Sequence, residues 1–194
     1  MSENQGQTAL FGRAHALPEG FKYQAGILSS EEEKILLDRM PQLPFKEFQF
    51  QGFVGKRRVV SYGWRYDFNE RALRQAEDIP SFLLPLREAA ADFAGITPKQ
   101  LGQVLLTEYD AGASIGWHRD KKIFDDVIGI SLLSACRFRF RRKAGSAWER
   151  ASLIVEPRSG YLLRGPSRTE WEHSIPAVDA LRYSITFRTL RQGR

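Results

Sequence analysis

A chain of 194 residues that is 42% hydrophobic and 27% charged can bury one ordinary core without disulfide or metal staples. No apolar run approaches the ~20 residues needed to cross a bilayer, and the opening MSENQGQTALFGRAHALPEG lacks the charged start and apolar block of a secretory signal. The single cysteine, Cys136, has no internal partner, which points to a reducing, cytoplasmic setting; the net charge of +6 suits a polyanion partner.

Residues 1–20 read as a flexible lead-in and 21–194 as one domain. In FKYQAGILSSEEEKILLDRM, Ser30 followed by Glu33 has the form of a capping box, and Ile35, Leu36 and Leu37 begin an apolar face. A helix is expected there, ending before Pro41. Residues 45–68 mix aromatics, β-branched residues and glycines, the composition of strands or a hairpin. A second helix is expected in SFLLPLREAAADFAG, with Ser81 as cap, Gly95 as stop and Pro85 best placed near its start.

From residue 102 onwards the chain reads as β, through QVLLTEY, VIGISLL, CRFRFRR, RASLIVE, GYLLRG and LRYSITFRTL, divided by turn-rich DAGAS, KAGS, PRSG and VDA. Alternation in CRFRFRR sets Phe138 and Phe140 on one face and Arg137, Arg139 and Arg141 on the other. Cys136 belongs with the core. Helices first and short antiparallel strands afterwards predict a mainly β fold, a barrel or jelly roll backed by N-terminal helices.

The chain has three histidines, and one lies in 116-GWHRD-120. In extended backbone His118 and Asp120, at i and i+2, leave the same face. His173 follows in WEHSIP. Two histidines and a carboxylate form the facial triad of non-haem Fe(II) oxygenases, which leaves coordination positions open. An HxD pair alone is more often an ordinary stretch of loop than a metal site. The last strand, 181-LRYSITFRTL-190, adds weight. Leu181, Tyr183, Ile185 and Phe187 share one face, while Arg182, Ser184, Thr186 and Arg188 share the other. Such a polar face fits solvent outside a barrel, or a dicarboxylate inside one, since Arg pairs with carboxylates bidentately.

WHRD, a distal histidine and RYSITFR together resemble the AlkB family of Fe(II)- and 2-oxoglutarate-dependent dioxygenases, from about Phe21 to Leu190. The resemblance implies a double-stranded β-helix (a jelly roll) over about 102–190, with a nucleotide-recognition lid over about 45–75. It implies Fe(II) on His118, Asp120 and His173. The far carboxylate of 2-oxoglutarate would lie on Arg182, helped by Tyr109, with Arg188 near the keto-acid end. Thr107 and Ser184 take positions where the repair members carry Asn, and both offer hydroxyls. With dioxygen as cosubstrate, the implied activity is oxidative demethylation of N-alkylated bases, a DNA-damage or RNA-repair chemistry on single-stranded or flipped substrates.

For the base, the resemblance implies Trp64 and Tyr66 as lid aromatics, with His118 as the opposite wall. Lys56, Arg57 and Arg58 stand where a lid could use them on phosphates. One departure is Lys122, at a position where the repair members carry an acid; Asp125 and Asp126 lie nearby. Trp117, Trp171 and Phe124 are expected to pack the barrel around the ligands. The expected partner is nucleic acid and not a membrane, and the expected state is a monomer. Two other readings are an oxygenase acting on a protein or small molecule, and a non-catalytic nucleic-acid-binding module.

Overall fold

The first helix, α1 (Ser30–Arg39), is capped one residue earlier than expected. Ser29, not Ser30, is the N-cap: its hydroxyl accepts from the Glu32 amide at 3.2 Å, and Glu32 accepts from the Ser29 amide at 2.7 Å. That register turns Glu33 inward beside Leu36. There its carboxylate accepts from the Leu133 amide at 2.8 Å and from Arg158 at 2.9 Å. Leu133 and Arg158 both have positive φ, so the buried acid ties two strained turns to the helix. The second helix, α2 (Leu84–Ala94), follows a 3-10 turn over Ser81–Leu83, with Pro85 in its first turn and Gly95 as a left-handed C-cap. Ser81 caps nothing, because the extra turn moves the N-cap to Leu83.

The computed structural model describes residues 16–50, 53–67, 72–75 and 77–191. Of the lead-in expected over 1–20, residues 1–15 lie outside the described residues. The strands are β1 (Phe21–Gln24), β2 (Lys46–Phe50), β3 (Phe53–Asp67), β4 (Ala72–Gln75), β5 (Leu101–Tyr109) and β6 (Ile115–His118). They continue with β7 (Phe124–Leu132), β8 (Cys136–Ala144), β9 (Ala147–Val155), β10 (Gly160–Leu163), β11 (Glu172–Ile175) and β12 (Arg182–Leu190). A short helix, α3 (Pro166–Thr169), precedes β11.

Two antiparallel sheets result. The larger has the order β1-β10-β7-β12-β5-β3-β2, with β4 paired to the far end of β3. The smaller has the order β6-β11-β8-β9. Neighbouring strands are thus drawn from distant parts of the chain, as a jelly roll requires. Each segment read as β from residue 102 onwards is a strand. The expected hairpin is β2–β3, whose long second strand continues onto β5 and then β4.

Two apolar clusters lie on opposite sides of the larger sheet. Leu36, Met40, Leu86 and Ala90 of the helical layer meet Tyr183, Ile185 and Phe187 of β12. Between the sheets, Tyr109 and Tyr161 meet Phe138, Phe140 and Trp171. β12 is therefore covered on both faces, and the face with two arginines turns into the barrel. Arg182 is 0% exposed. That decides between the two readings of the strand: its polar face is not an outer, solvated one.

Candidate metal and cosubstrate site

Two short strands that the composition did not announce, β6 and β11, place His173 directly opposite His118. Cross-strand neighbours of this kind stand about 5 Å apart at Cβ. The imidazole centroids are 4.3 Å apart. Asp120, just beyond the end of β6, completes the group. One donor atom from each of His118, Asp120 and His173 falls within 4.8 Å of the others, the spacing of ligands around a single ion.

Each ligand is held by a neighbour. His118 Nδ1 lies 2.9 Å from the Gly116 carbonyl, which can only accept; Nδ1 therefore carries the proton and Nε2 is left for a metal. The His173 ring stacks on Phe138 at 5.3 Å with 12° between planes. Burial, then the His118 imidazole, push His173 down to about 3, so it stays neutral and able to ligate. Arg188 donates through Nε to Asp120 Oδ1 at 2.9 Å, and its other end donates to Gln103 Oε1 at 2.9 Å. Burial opposes ionisation of Asp120, but Arg188 and the two imidazoles outweigh it and hold the carboxyl well below its usual range. Its second oxygen, Oδ2, faces His173 Nε2 at 3.6 Å, too long for a hydrogen bond and suited to a shared cation.

Deeper in the barrel, Arg182 passes one nitrogen to Ser131 Oγ at 3.1 Å and lies over the Tyr109 ring at 4.8 Å. Its Nε and Nη1 are buried and have no hydrogen-bond partner. A guanidinium wholly out of water with two idle donors costs several kcal/mol unless an anion meets it. A carboxylate supplies the negative charge and the acceptor oxygens that such a guanidinium lacks. Thr107 lies opposite Ser184 and Ser184 opposite Ser131, so three hydroxyls cross the central strands beside it. The donor set thus fits an Fe(II) ion, and the Arg182 end fits the far carboxylate of a keto diacid.

The family described as "2OG-Fe(II) oxygenase superfamily" matches residues 27–188. The chain belongs to the 2OG-Fe(II) oxygenase superfamily. Within it the oxygenase is AlkB-like. It is 28% identical over 165 residues to the alkylated DNA repair protein ALKBH8 homolog of Arabidopsis thaliana, covering 72% of this chain and 48% of that protein. It is 26% identical over 169 residues to the tRNA (carboxymethyluridine(34)-5-O)-methyltransferase ALKBH8 of Macaca fascicularis, covering 84% of this chain and 25% of that one. The chain therefore spans half or less of these relatives. The solved structure of OsALKBH1 superposes with a TM-score of 0.65 at 17% identity, over 90% of this chain and 98% of that one, a likeness of fold. The enzyme is a dioxygenase that uses Fe(II), 2-oxoglutarate and dioxygen, with His118, Asp120 and His173 as its facial triad.

The residues expected to meet substrate are more dispersed. Trp64 is 38% exposed and forms one wall of an open groove whose other residues include Gly102, Ile123, Asp125, Asp126 and Leu190. No metal ligand lines that groove. Of Tyr66 only the backbone is described, paired with Leu73; its side chain lies outside the described residues. The basic triplet divides by strand alternation. Arg57 stands opposite Tyr109 on the barrel side, with its guanidinium 3.9 Å over Phe48. Arg58 takes the other side and pairs with Glu108 at 2.6 Å. Lys56 and Lys122 are exposed. Asp126 is held by Arg164 at 2.6 Å, whereas Asp125 is exposed in the Trp64 groove.

Trp171 and Phe124 are buried, and Phe124 lies under Arg188 at 5.2 Å. Trp117 does not pack the barrel. It leaves the strand on the side opposite His118, against Arg139 and Arg141.

Four contributors went unnoticed in the sequence. Ser131 and Gln103 hold the two arginines. Tyr161 lies in the barrel beneath Gly129, where any Cβ would come within 2.1 Å of its ring. Burial, then Tyr109, push the Tyr161 phenol far up, so it remains a neutral donor. Arg168 of α3 donates to the Lys121 and Phe124 carbonyls at 2.5 and 2.9 Å and so clamps the loop that carries Asp120. The glycine inside VIGISLL was the one available signal, since an interior strand glycine marks a close approach.

Proposed function

We propose that this oxygenase oxidatively demethylates N-alkylated bases of DNA or RNA. The carrying observation is Trp64, a large aromatic left partly in solvent on an open groove beside the loop that follows Asp120. A flipped or single-stranded base needs such a platform, worth about 1–3 kcal/mol in stacking. Likeness to an alkylated DNA repair protein over 72% of the chain supports the same reading. The hairpin and β4, over about 45–75, serve as the lid, with Tyr66 as a second aromatic and the exposed Lys56 available to phosphates.

Bound iron, with 2-oxoglutarate and dioxygen, supplies the oxidising power. The protein supplies position. Arg182, with Tyr109 and the hydroxyls of Thr107 and Ser184, takes the far carboxylate of 2-oxoglutarate. Arg188 holds Asp120 in its ligating orientation and places positive charge near the keto-acid end. Overall, one oxygen atom of dioxygen goes to succinate as carbon dioxide leaves, and the other is inserted into a C–H bond of the N-methyl group. The resulting N–CH2OH group loses formaldehyde and returns the N–H base.

Lys122 favours a second reading, oxidation of a modified tRNA base without loss of a methyl group. A cation in place of an acid disfavours a positively charged methylated base, and the macaque relative is named for a tRNA carboxymethyluridine. Mass spectrometry of methylated oligonucleotides and of bulk tRNA after incubation with enzyme, Fe(II) and 2-oxoglutarate separates the two. Loss of a methyl group with formaldehyde is the expected result. Oxygen addition without formaldehyde selects the second reading, and cosubstrate consumption with neither change refutes both.

A further inference from the structure

The smaller sheet fills the barrel with Phe138, Phe140, Ala151 and Val155. Its other face follows from strand alternation. On β8 that face carries Arg137, Arg139, Arg141 and Lys143, and on β9 it carries Trp148, Arg150 and Ile154. β11 contributes Glu172 and β6 contributes Trp117. Glu172, paired to Arg141 at 2.6 Å, is the one acid that these strands place on this face among the described residues.

The bland reading of such a face is solvation. Three observations count against it. Arg141 stands directly opposite Arg150, a like-charge cross-strand pair that costs stability in the free protein. Arg137, Lys143 and Arg150 are exposed and make no hydrogen bond or ion pair among the described residues. The arginines are also interleaved with indoles: Arg139 and Arg141 lie 4.9 and 4.6 Å from Trp117, and Arg141 lies 4.5 Å from Trp148. Trp148 remains 43% exposed and Ile154 46%. Alternate residues on β8 repeat every ~6.8 Å, which lays a row of guanidinium groups along one line.

We propose that this outward face of the smaller sheet is a second contact surface for nucleic acid, holding the phosphate backbone of a single strand while a base stacks on Trp148. The proposal rests on the reading of nucleic acid as substrate. Cations interleaved with aromatic platforms are what sequence-tolerant single-strand binding uses. The placement also suits the chemistry. β6 directs His118 inward and Trp117 outward, so a strand lying on this face passes the rim of the metal centre. An acidic protein partner would use the charges but would not need the exposed indole.

The test is fluorescence anisotropy of fluorescein-labelled, unmodified oligo-uridine and oligothymidine, over roughly 50 to 200 mM salt. Arg137→Glu/Arg150→Glu is compared with Lys34→Glu/Arg39→Glu on α1, which changes the net charge equally at exposed positions of the helical layer. The first pair is expected to weaken binding at least ~10-fold and to make the logarithmic salt slope shallower by about 1.4, two single-strand contacts' worth. The α1 pair should lose under about threefold. Trp148→Ala should weaken binding about 5- to 150-fold and leave the slope in place. Thermal melts confirm that each variant is folded. Equal losses from the two charge pairs, or none from either while the wild type binds, would overturn this surface alone. Loss with the charge pair but none with Trp148→Ala would overturn single-strand stacking in favour of an acidic protein. Failure of the wild type to bind either oligonucleotide would overturn the nucleic-acid reading as well.

Discussion

Arg182→Met separates the two things that a buried, half-paired guanidinium does. Arg182 is 0% exposed, with one bond to Ser131 and two idle donors. Replacing a buried, imperfectly paired ion by an apolar side chain of similar size is commonly neutral or stabilising by about 1–4 kcal/mol. Against that stand the loss of the Tyr109 stacking, about 0.5–2 kcal/mol, and of one hydrogen bond, about 1 kcal/mol. The net expectation is a melting temperature unchanged or raised by a few degrees, at ~2–4 °C per kcal/mol for a chain of this size. Cosubstrate binding should respond in the opposite sense. Two charge-assisted bonds at about 1.5–3 kcal/mol each put the loss near 3–6 kcal/mol, or about 10²- to 10⁴-fold in the 2-oxoglutarate requirement. Thermal melts with and without 2-oxoglutarate read both. The wild type should gain about 2.7 kcal/mol at a hundredfold excess over its Kd, and the variant, at the same concentration, under about 0.5 kcal/mol. A variant that melts well below the wild type yet still gains from 2-oxoglutarate would refute the reasoning, because the arginine would then be structural.

Asp120→Ala should abolish succinate formation and leave Arg188 buried with Gln103 as its remaining hydrogen-bond acceptor, so the melting temperature should fall as well; retained succinate formation would remove Asp120 from the metal. Gly129→Ala drives a methyl group into the Tyr161 ring, which overpacks the barrel by about 1–3 kcal/mol; the fall in melting temperature should come with a raised 2-oxoglutarate requirement. Trp64→Ala should lower kcat/KM for a methylated oligonucleotide about 5- to 150-fold, the worth of one stacked base, as read by product mass spectrometry. Cys136 is buried and its thiol is pushed up, by burial first, so a thiol reagent at pH 8 should label it slowly in the native protein and readily in urea.

What could be read from the sequence follows from where the physics is local. Period-2 alternation is a property of neighbouring residues, and it placed Phe138 and Phe140 inside and sorted the two faces of β12 correctly. The facial triad was visible because His118 and Asp120 sit two apart and the chain has few other histidines to confuse them. Alternation cannot say which of two faces meets solvent, and β12 meets none; it took the helical layer on one side and the smaller sheet on the other to turn Arg182 inward. The helix start slipped by one residue because Ser29 and Ser30 are followed by three consecutive glutamates, so two capping boxes are written there. A long-range need chose between them: Glu33 has to reach Leu133 and Arg158, a hundred or more residues away. Ser131, Gln103 and Arg168 were invisible for the same reason, since each matters through a partner on a distant strand or loop. Trp117 shows the limit most clearly. Its place beside a metal ligand argued for the barrel wall, yet the alternation that turns His118 inward must turn its neighbour out. The aromatic next to the iron site thus belongs to the outer face, among the arginines.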